Sequence, residues 1–347
     1  MWRQDVRKTV LEEVAEYVQD QCARQLAGSG IDVAGEVLLH FVSGGKCLRP
    51  TFMYLGWLCG AEPDRAALRA CAGLELLHAF ALLQDDVMDD SAMRRGRQAA
   101  HVEFAQWHGE RRLSGCAQRF GASAAVLLSD LCLVWAEQMM RESGVDQRAL
   151  ARTWHRYDAM RVELALGQFA DIVNDAGALP KLDAVLDVAR RKSGNYTVRR
   201  PLEIGAALAG REDLIPVLGN YGSLVGEAFQ LRDDILGVFG SPGITGKPAG
   251  GDLAERKATS VVVTAYHLAD ASTRRQLSEL ICAKELTDHD IDHWRALIVA
   301  SGAVQWIEDM IVNRVNAARD HVSHSRIDGS VQGALAYMAD ICTARAT

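Results

Sequence analysis

Apolar residues recur three and four positions apart over long stretches rich in Ala, Leu, Glu, Arg and Gln, which is the pattern of helices with one buried face. The spacing predicts helices over Val6 to Leu26, Ala66 to Asp86, Ala122 to Arg141, Trp154 to Asp171, Leu214 to Leu236 and Val304 to Val322. No region sustains the period-two alternation of strands, although Ser260 to Thr264 holds a short β-branched run. Breaks rich in Gly, Pro or polar residues fall at Gly28 to Gly30, Gly44 to Pro50, His108 to Gln118, Asn174 to Pro180 and Ser241 to Asp252, and read as loops between helices. None is long or polar enough to serve as an interdomain linker. The expected architecture is all-α, a single domain over residues 1–347.

Composition narrows the function classes. With 347 residues and 49% hydrophobic content the chain can bury a large core. A formal charge of -7 and a pI near 5.8 argue against a general nucleic-acid or anionic-membrane binder, so an anionic ligand must be held by local basic clusters. The eight cysteines lie in apolar stretches without metal-ligand spacing and read as reduced core residues. Met1 to Gln25 lacks the layout of a secretory signal, and no segment is expected to span a membrane. A soluble, cytoplasmic protein is expected.

Two acidic clusters change the picture. Asp85, Asp86 and Asp89 in ALLQDDVMDDS follow an apolar helix, with Asp85 and Asp89 one turn apart on one face. Like charges so placed repel, and the arrangement makes physical sense if hard divalent cations bridge the oxygens. A solvated acidic helix end would look the same in isolation. Asp233 and Asp234 in AFQLRDDILGVFG repeat the pattern near the end of a second apolar helix. Two such clusters facing one cavity suit ionisation chemistry, in which the growing charge of a departing diphosphate is neutralised.

Cations beside turns complete the set. GGKCLRP places Lys46 and Arg49 three apart after a glycine pair, where backbone N–H groups can also approach phosphate oxygens. Arg94, Arg95 and Gly96 follow the first acidic cluster, and Lys192, Lys247 and Lys257 stand further along.

With these residues assembled, the chain resembles the trans-isoprenyl diphosphate synthases, in order from the Gly44 region to Lys257. The family's order is GGKxxRP, an ELLH helix leading to DDxxD, then RRG, GQxxD, a K-[ST] segment, and FQxxDDxxD followed by GK. This sequence has GGKCLRP, ELLHAFALLQDDVMD, RRG, GQFAD, KSGNYT and FQLRDDILG with TGK. The resemblance implies an isoprenoid-synthase helical bundle around a central cavity, working as a homodimer with Mg²⁺, three ions per site by the family's pattern.

By the same transfer, Lys46, Arg49, His78 and Arg95 hold the diphosphate of isopentenyl diphosphate. Asp85, Asp89 and Asp233 bind Mg²⁺ around an allylic diphosphate, whose oxygens Arg94, Lys192, Gln230, Lys247 and Lys257 contact. Asp86, Asp171 and Asp234 support ions or lysines. His78 by itself reads equally as a buried structural imidazole, and Gln168 with Asp171 as ordinary polar pairing. Either Ser193 or Thr197 serves the family's hydroxyl position. Gly237 stands where the second cluster would carry its third Asp, leaving that side one carboxylate short, with water expected to take its place on the ion.

The implied reaction starts with loss of diphosphate to leave an allylic cation, which the double bond of isopentenyl diphosphate attacks before a proton departs. The product's tail should run along the helix before Asp85, where one turn is about the length of an isoprene unit. Phe80 and Ala81, five and four positions before Asp85, give one aromatic obstruction beside a small residue. By resemblance this favours the C20 product, geranylgeranyl diphosphate, over C15, farnesyl diphosphate. Two rivals remain. A class I terpene cyclase would need an Asn/Asp, Ser/Thr, Glu motif that Asn220, Ser223 and Glu227 match only with wrong spacing. A noncatalytic partner subunit would be expected to have lost more of the cations.

Overall fold

The computed structural model describes residues 2–176, 179–240, 250–283 and 285–344. Its chain divides into two compact units, Met1–Thr153 with Ala207–Gly210, and Trp154–Ala206 with Arg211–Thr347. Both are helical, and among the described residues the only strands are two-residue segments.

The first unit holds α1 (Trp2–Gln25), α2 (Asp32–Val42), α3 (Leu48–Leu58), α4 (Arg65–Met88), α5 (Ala100–Glu110), α6 (Ala117–Arg141) and α7 (Gln147–Ala151). Helix α4 starts where Asp64 accepts a hydrogen bond from the Ala67 amide at 2.7 Å, a side-chain N-cap. Its Leu74, Leu76, Leu77 and Leu83 are fully buried, and it packs against α6, α3 and α1. The approach to α6 is close because Gly73 has no side chain; a Cβ there would lie 2.7 Å from the Ala136 carbonyl oxygen.

Beyond α4, the strands β1 (Met93–Arg94) and β2 (Arg97–Gln98) form a minimal hairpin. Arg95 and Gly96 at its tip both have positive φ, +53° and +76°, the two-residue geometry whose twist matches the flanking strands.

The second unit holds α8 (Trp154–Ala176), α9 (Leu182–Val188), a π-helix (Ala189–Arg199), α10 (Arg200–Leu208, whose last residues belong to the first unit) and α11 (Ile215–Phe239). After these come α12 (Gly251–Ala254), α13 (Ser260–Leu268), α14 (Ala271–Cys282), α15 (Asp288–Ala300), α16 (Ala303–Ser323) and α17 (Gly329–Thr343). Helix α11 is central: it packs against the π-helix, α16 and α17, and the buried Tyr221 hydroxyl donates to the Leu335 carbonyl at 2.6 Å. Gly222 and Gly226 form a groove that seats the π-helix, since Cβ atoms there would lie 2.4 Å from Arg199 Cα and 2.5 Å from the Gly194 carbonyl oxygen.

Each of the six segments predicted from periodicity forms a helix; most ends extend by a few residues, while Leu26 and Leu214 fall one residue outside. The β-branched run Ser260 to Thr264 is helical and buried, in keeping with the all-α expectation, because tertiary contact outweighs local propensity there. One expectation is corrected. Cys116 and Cys282 are exposed rather than in the core, although all eight cysteines are free thiols. Two helices, α4 and α6, are long and apolar enough by length and composition to cross a membrane. In α4 that apolar window is 67% buried inside the protein, the mark of a core helix; in α6 it is 39% buried, because Val126, Leu127 and Val134 face outward.

Candidate active site

In the first unit the predicted residues gather along α4 and the segments beside it. His78 and Asp85 are seven residues apart, two full turns, so they share one face of α4 about 10 Å apart along its axis. Ala81 lies between them, and both Phe80 and Ala81 are half-buried rather than locked in the core.

Asp85 and Asp86 lie in the last turn of α4, and Asp89 is its C-cap, donating its amide to the Asp85 carbonyl at 2.8 Å. Carboxylates at the negative end of a helix dipole repel both it and one another, so this position attracts cations. Part of the charge is met by Arg94 from β1. Its Nε donates to Asp86 Oδ1 at 2.7 Å, its Nη2 donates to the same oxygen, and Nη2 reaches Asp85 Oδ2 at 3.4 Å. Burial works against the Arg94 charge, but the hydrogen bond to Asp86 and the charges of Asp86, Asp85 and Asp89 raise its pKa above the ordinary value. Asp86 is 1% exposed and holds Arg94, whereas Asp85 and Asp89 are half-exposed.

The cationic end is built around the loop before α3. Gly45 has φ +129°, and a Cβ there would meet Glu75 Oε1 at 2.8 Å and Arg95 Nη2 at 3.0 Å, so only glycine fits. Arg95 Nη1 donates to the Gly44 carbonyl at 2.7 Å, and Arg7 Nε donates to the Gly45 carbonyl at 2.7 Å. Arg49 sits in the first turn of α3, which has no side-chain cap, and Lys46 is exposed on the loop.

Enclosure, then the positive charges of Arg49, Arg95 and Arg94, hold His78 well below its ordinary pKa. It is a neutral imidazole facing three guanidinium groups. Burial raises the Glu75 pKa against the opposing pull of Arg95, Arg49 and Arg7. Glu75 and Arg7 were missed by sequence reasoning; the one available signal was an acidic residue inside the apolar ELLH stretch.

In the second unit, Lys192 is on the π-helix, where Nζ donates to Asp171 Oδ2 of α8 at 2.6 Å. Gly167 lets the segments touch, since a Cβ there would lie 2.7 Å from the Lys192 amide nitrogen. π-Helical turns are rare and frequent at functional sites. Thr197 is fully buried, with its hydroxyl unpartnered among the described residues, whereas Ser193 is half-buried.

On α11, Asp234 accepts from Gln230 Nε2 at 2.7 Å, from the Ser260 amide at 2.9 Å and from the Ser260 hydroxyl at 2.6 Å. Burial raises the Asp234 pKa and Asp233 adds to this, while the Ser260 and Gln230 hydrogen bonds oppose it. Asp234 thus fixes the start of α13, and Asp233 and Gly237 share the half-exposed face of α11. Lys257 pairs with Glu255 at 3.0 Å. Lys247 lies outside the described residues.

The donor set suits Mg²⁺, which takes oxygen ligands, few of them from protein, and keeps water or phosphate in the remaining positions. Among the described residues no three His, Cys, Asp or Glu side chains close a metal site by themselves. Residues of the cyclase-like motif serve the fold instead: the Ser223 hydroxyl donates to the Gly219 carbonyl at 2.9 Å, and Glu227 pairs with Arg314 at 3.1 Å.

Comparison with known proteins agrees with this geometry. The polyprenyl synthetase family model matches residues 32–298, through both units. A geranylfarnesyl diphosphate synthase of Aeropyrum pernix is 32% identical over 292 residues, 82% of this chain and 85% of that one. A geranylgeranyl diphosphate synthase of Mycobacterium tuberculosis is 31% identical over 279 residues, 80% and 74% of the two chains. The crystal structure of geranylgeranyl pyrophosphate synthase from Corynebacterium glutamicum, complexed with isoprenyl diphosphate and magnesium, superposes with a TM-score of 0.94 at 33% identity, covering 99% of each chain. The fold, the ordered motifs and these matches together place this chain in the polyprenyl synthetase family.

Proposed function

We propose that this enzyme is a short-chain trans-prenyltransferase that condenses isopentenyl diphosphate with C5, C10 or C15 allylic diphosphates, with geranylgeranyl diphosphate as its main product. The observation that carries the reading is the single face of α4, with His78 among Arg49, Arg94 and Arg95, the small Ala81 one turn on, and the carboxylates of Asp85 and Asp89 beyond. The cationic end suits one diphosphate and the acidic end suits the cations of another, about 10 Å along the helix.

Lys46, Arg49, His78 and Arg95 bind isopentenyl diphosphate. His78 is neutral, so it donates or accepts a hydrogen bond without adding to the charge. Arg94, Lys192, Gln230, Lys247 and Lys257 contact oxygens of the allylic diphosphate, and Asp85, Asp89 and Asp233 are the Mg²⁺ ligands. Asp86 orients Arg94, Asp171 orients Lys192, and Asp234 orients Gln230. When bound, Mg²⁺ neutralises charge that builds on the leaving diphosphate.

The allylic C–O bond breaks with its electron pair going to the diphosphate, and the double bond of isopentenyl diphosphate forms the new C–C bond. The proton then lost passes to the departing diphosphate, since no side chain of this chain stands out as a base. Bulk at Phe80 limits the tail to C20.

The family model's run through both units supports one polyprenyl synthetase domain. The free cysteines are in keeping with a cytoplasmic enzyme. Exposed apolar faces on α6 (Val126, Leu127, Val134) and α8 (Val162, Leu166, Phe169, Val173) support a homodimer.

The test incubates purified protein with Mg²⁺, isopentenyl diphosphate and each primer, and reads product length by mass spectrometry. A C20 diphosphate is expected. C15 or longer chains would keep the reaction and overturn the length, whereas no elongation with any primer would favour the noncatalytic-subunit reading.

A further inference from the structure

The loop before α3 is gripped at three consecutive carbonyls by three arginines. Arg95 Nη1 donates to the Gly44 carbonyl at 2.7 Å, Arg7 Nε to the Gly45 carbonyl at 2.7 Å and Arg3 Nη2 to the Lys46 carbonyl at 3.3 Å. The next carbonyl, that of Cys47, accepts from the Thr51 amide at 3.1 Å and from the Thr51 hydroxyl at 2.6 Å. In a trans peptide the N–H points opposite to the C=O. The amides of Gly45, Lys46 and Cys47 are therefore each turned away from the arginine that holds the carbonyl before them.

The loop needs these donors to keep its shape. Cys47 has φ +48°, uncommon for a residue with a side chain, and it makes no side-chain cap bond to α3. Burial pushes the Cys47 thiol far above its ordinary pKa, Glu75 adds to this, and Arg7, Arg95 and Arg3 oppose it, so all four charges act on this loop.

Two of the three arginines come from α1. Arg3 and Arg7 lie one turn apart on it, and both are half-buried. The helix is a firm base for them. Its Val6, Val10, Val14 and Val18 are buried, and its buried Glu13 pairs with Arg65 of α4 at 2.9 Å and with Arg69 at 3.8 Å. Helix α1 is thus docked on the same helix that carries Glu75 and His78.

We propose that Arg7, aided by Arg3, is a positioning residue for isopentenyl diphosphate: it takes up the Gly45 carbonyl, whose oxygen repels an anion, and fixes the loop that carries Lys46 and leads into Arg49. Arg7 acts through the loop rather than on the substrate. This rests on the prenyltransferase reading, and it adds α1, which carries none of the sequence motifs, to the elements that build the site.

The test is steady-state kinetics of the full chain with Mg²⁺, isopentenyl diphosphate and geranyl diphosphate, each substrate varied in turn. Arg7→Met keeps the apolar stem of the side chain and removes the donor. It should raise the KM for isopentenyl diphosphate about 10- to 100-fold, and change kcat and the KM for the allylic diphosphate less than about 3-fold. Arg7→Lys, which restores a cationic donor, should recover much of the loss. A general disturbance of the first unit would instead raise both KM values, because Asp85, Asp89 and Arg94 belong to that unit as well. Thermal melting identifies a variant that fails to fold. Should Arg7→Met be one, Arg3→Met decides: a rise of a few-fold in the KM for isopentenyl diphosphate alone is expected, and no rise would overturn the inference. An unchanged KM for isopentenyl diphosphate in folded Arg7→Met, a loss shared equally by both substrates, or Arg7→Lys no better than Arg7→Met would overturn this inference and leave the prenyltransferase reading standing. No elongation by the parent chain with any primer would overturn both.

Discussion

His78 shows how a residue's neighbours decide its chemistry. In water an imidazole is half-protonated near pH 6.5. Here enclosure and the charges of Arg49, Arg95 and Arg94 keep it neutral well below that. The folded chain therefore refuses a proton that the unfolded chain accepts, and the unfolded state is favoured as the pH falls below about 6.5, by at most about 1.4 kcal/mol per pH unit. His78→Gln keeps a neutral polar group and removes this loss. Urea unfolding at pH 7.5 and 5.5 should show a shallower decline for His78→Gln than for the parent chain, and parallel declines would refute the assignment. Asp86 likewise depends on a neighbour: it is 1% exposed, and Arg94 meets it in a charge-assisted hydrogen bond at 2.7 Å.

Among the elements, α4 is a ruler as well as a core helix. Each turn advances about 5.4 Å, so a side chain one turn before the carboxylates sits where a growing isoprenoid tail would reach. Phe80→Ala should lengthen the product beyond C20, read by mass spectrometry of the diphosphates formed. An unchanged profile from a folded variant would remove Phe80 from control of length.

The π-helix depends on backbone contact in a way the ruler does not. A Cβ at Gly226 would lie 2.5 Å from the Gly194 carbonyl oxygen, and backbone atoms cannot step aside as a side-chain tip can. Gly226→Ala should lower the unfolding free energy by about 1–3 kcal/mol and shift the segment that carries Lys192. A urea midpoint equal to that of the parent chain would show that the two segments have room to part.

At the scale of the whole molecule the exposed apolar faces stand out. Phe169 on α8 is 70% exposed and Leu127 on α6 65%, each among further exposed apolar residues of its own helix. Exposed apolar helix faces of this kind mark interaction surfaces, and a second copy of the chain is the partner proposed. Leu127→Glu combined with Phe169→Glu should convert a dimer to monomer in sedimentation velocity. A parent chain that sediments as a monomer would refute the dimer.

The helices were legible in the sequence because their signal is local: apolar spacing along one segment reports which face is buried, whatever it is buried against. The same holds for Asp85 with Asp89 and Lys46 with Arg49, whose spacing within a helix or across one turn carries the chemistry. Side chains that come from other segments were not legible. Nothing in the spacing of Glu75 says that it meets Arg95, nothing near Asp234 says that it fixes the first residue of α13, and the β-branched run at Ser260 points away from the helix it forms. Gly237 makes the division plain, since the Asp252 side chain packs where a Cβ on it would lie. The sequence alone determined that α11 lacks a carboxylate at position 237, because a helix fixes what lies one turn after Asp233. Only the tertiary structure decided what fills the space, because the approach of α12 is set by the left-handed turn at Gly250 and the burial of Leu253, and not by any pattern along the chain.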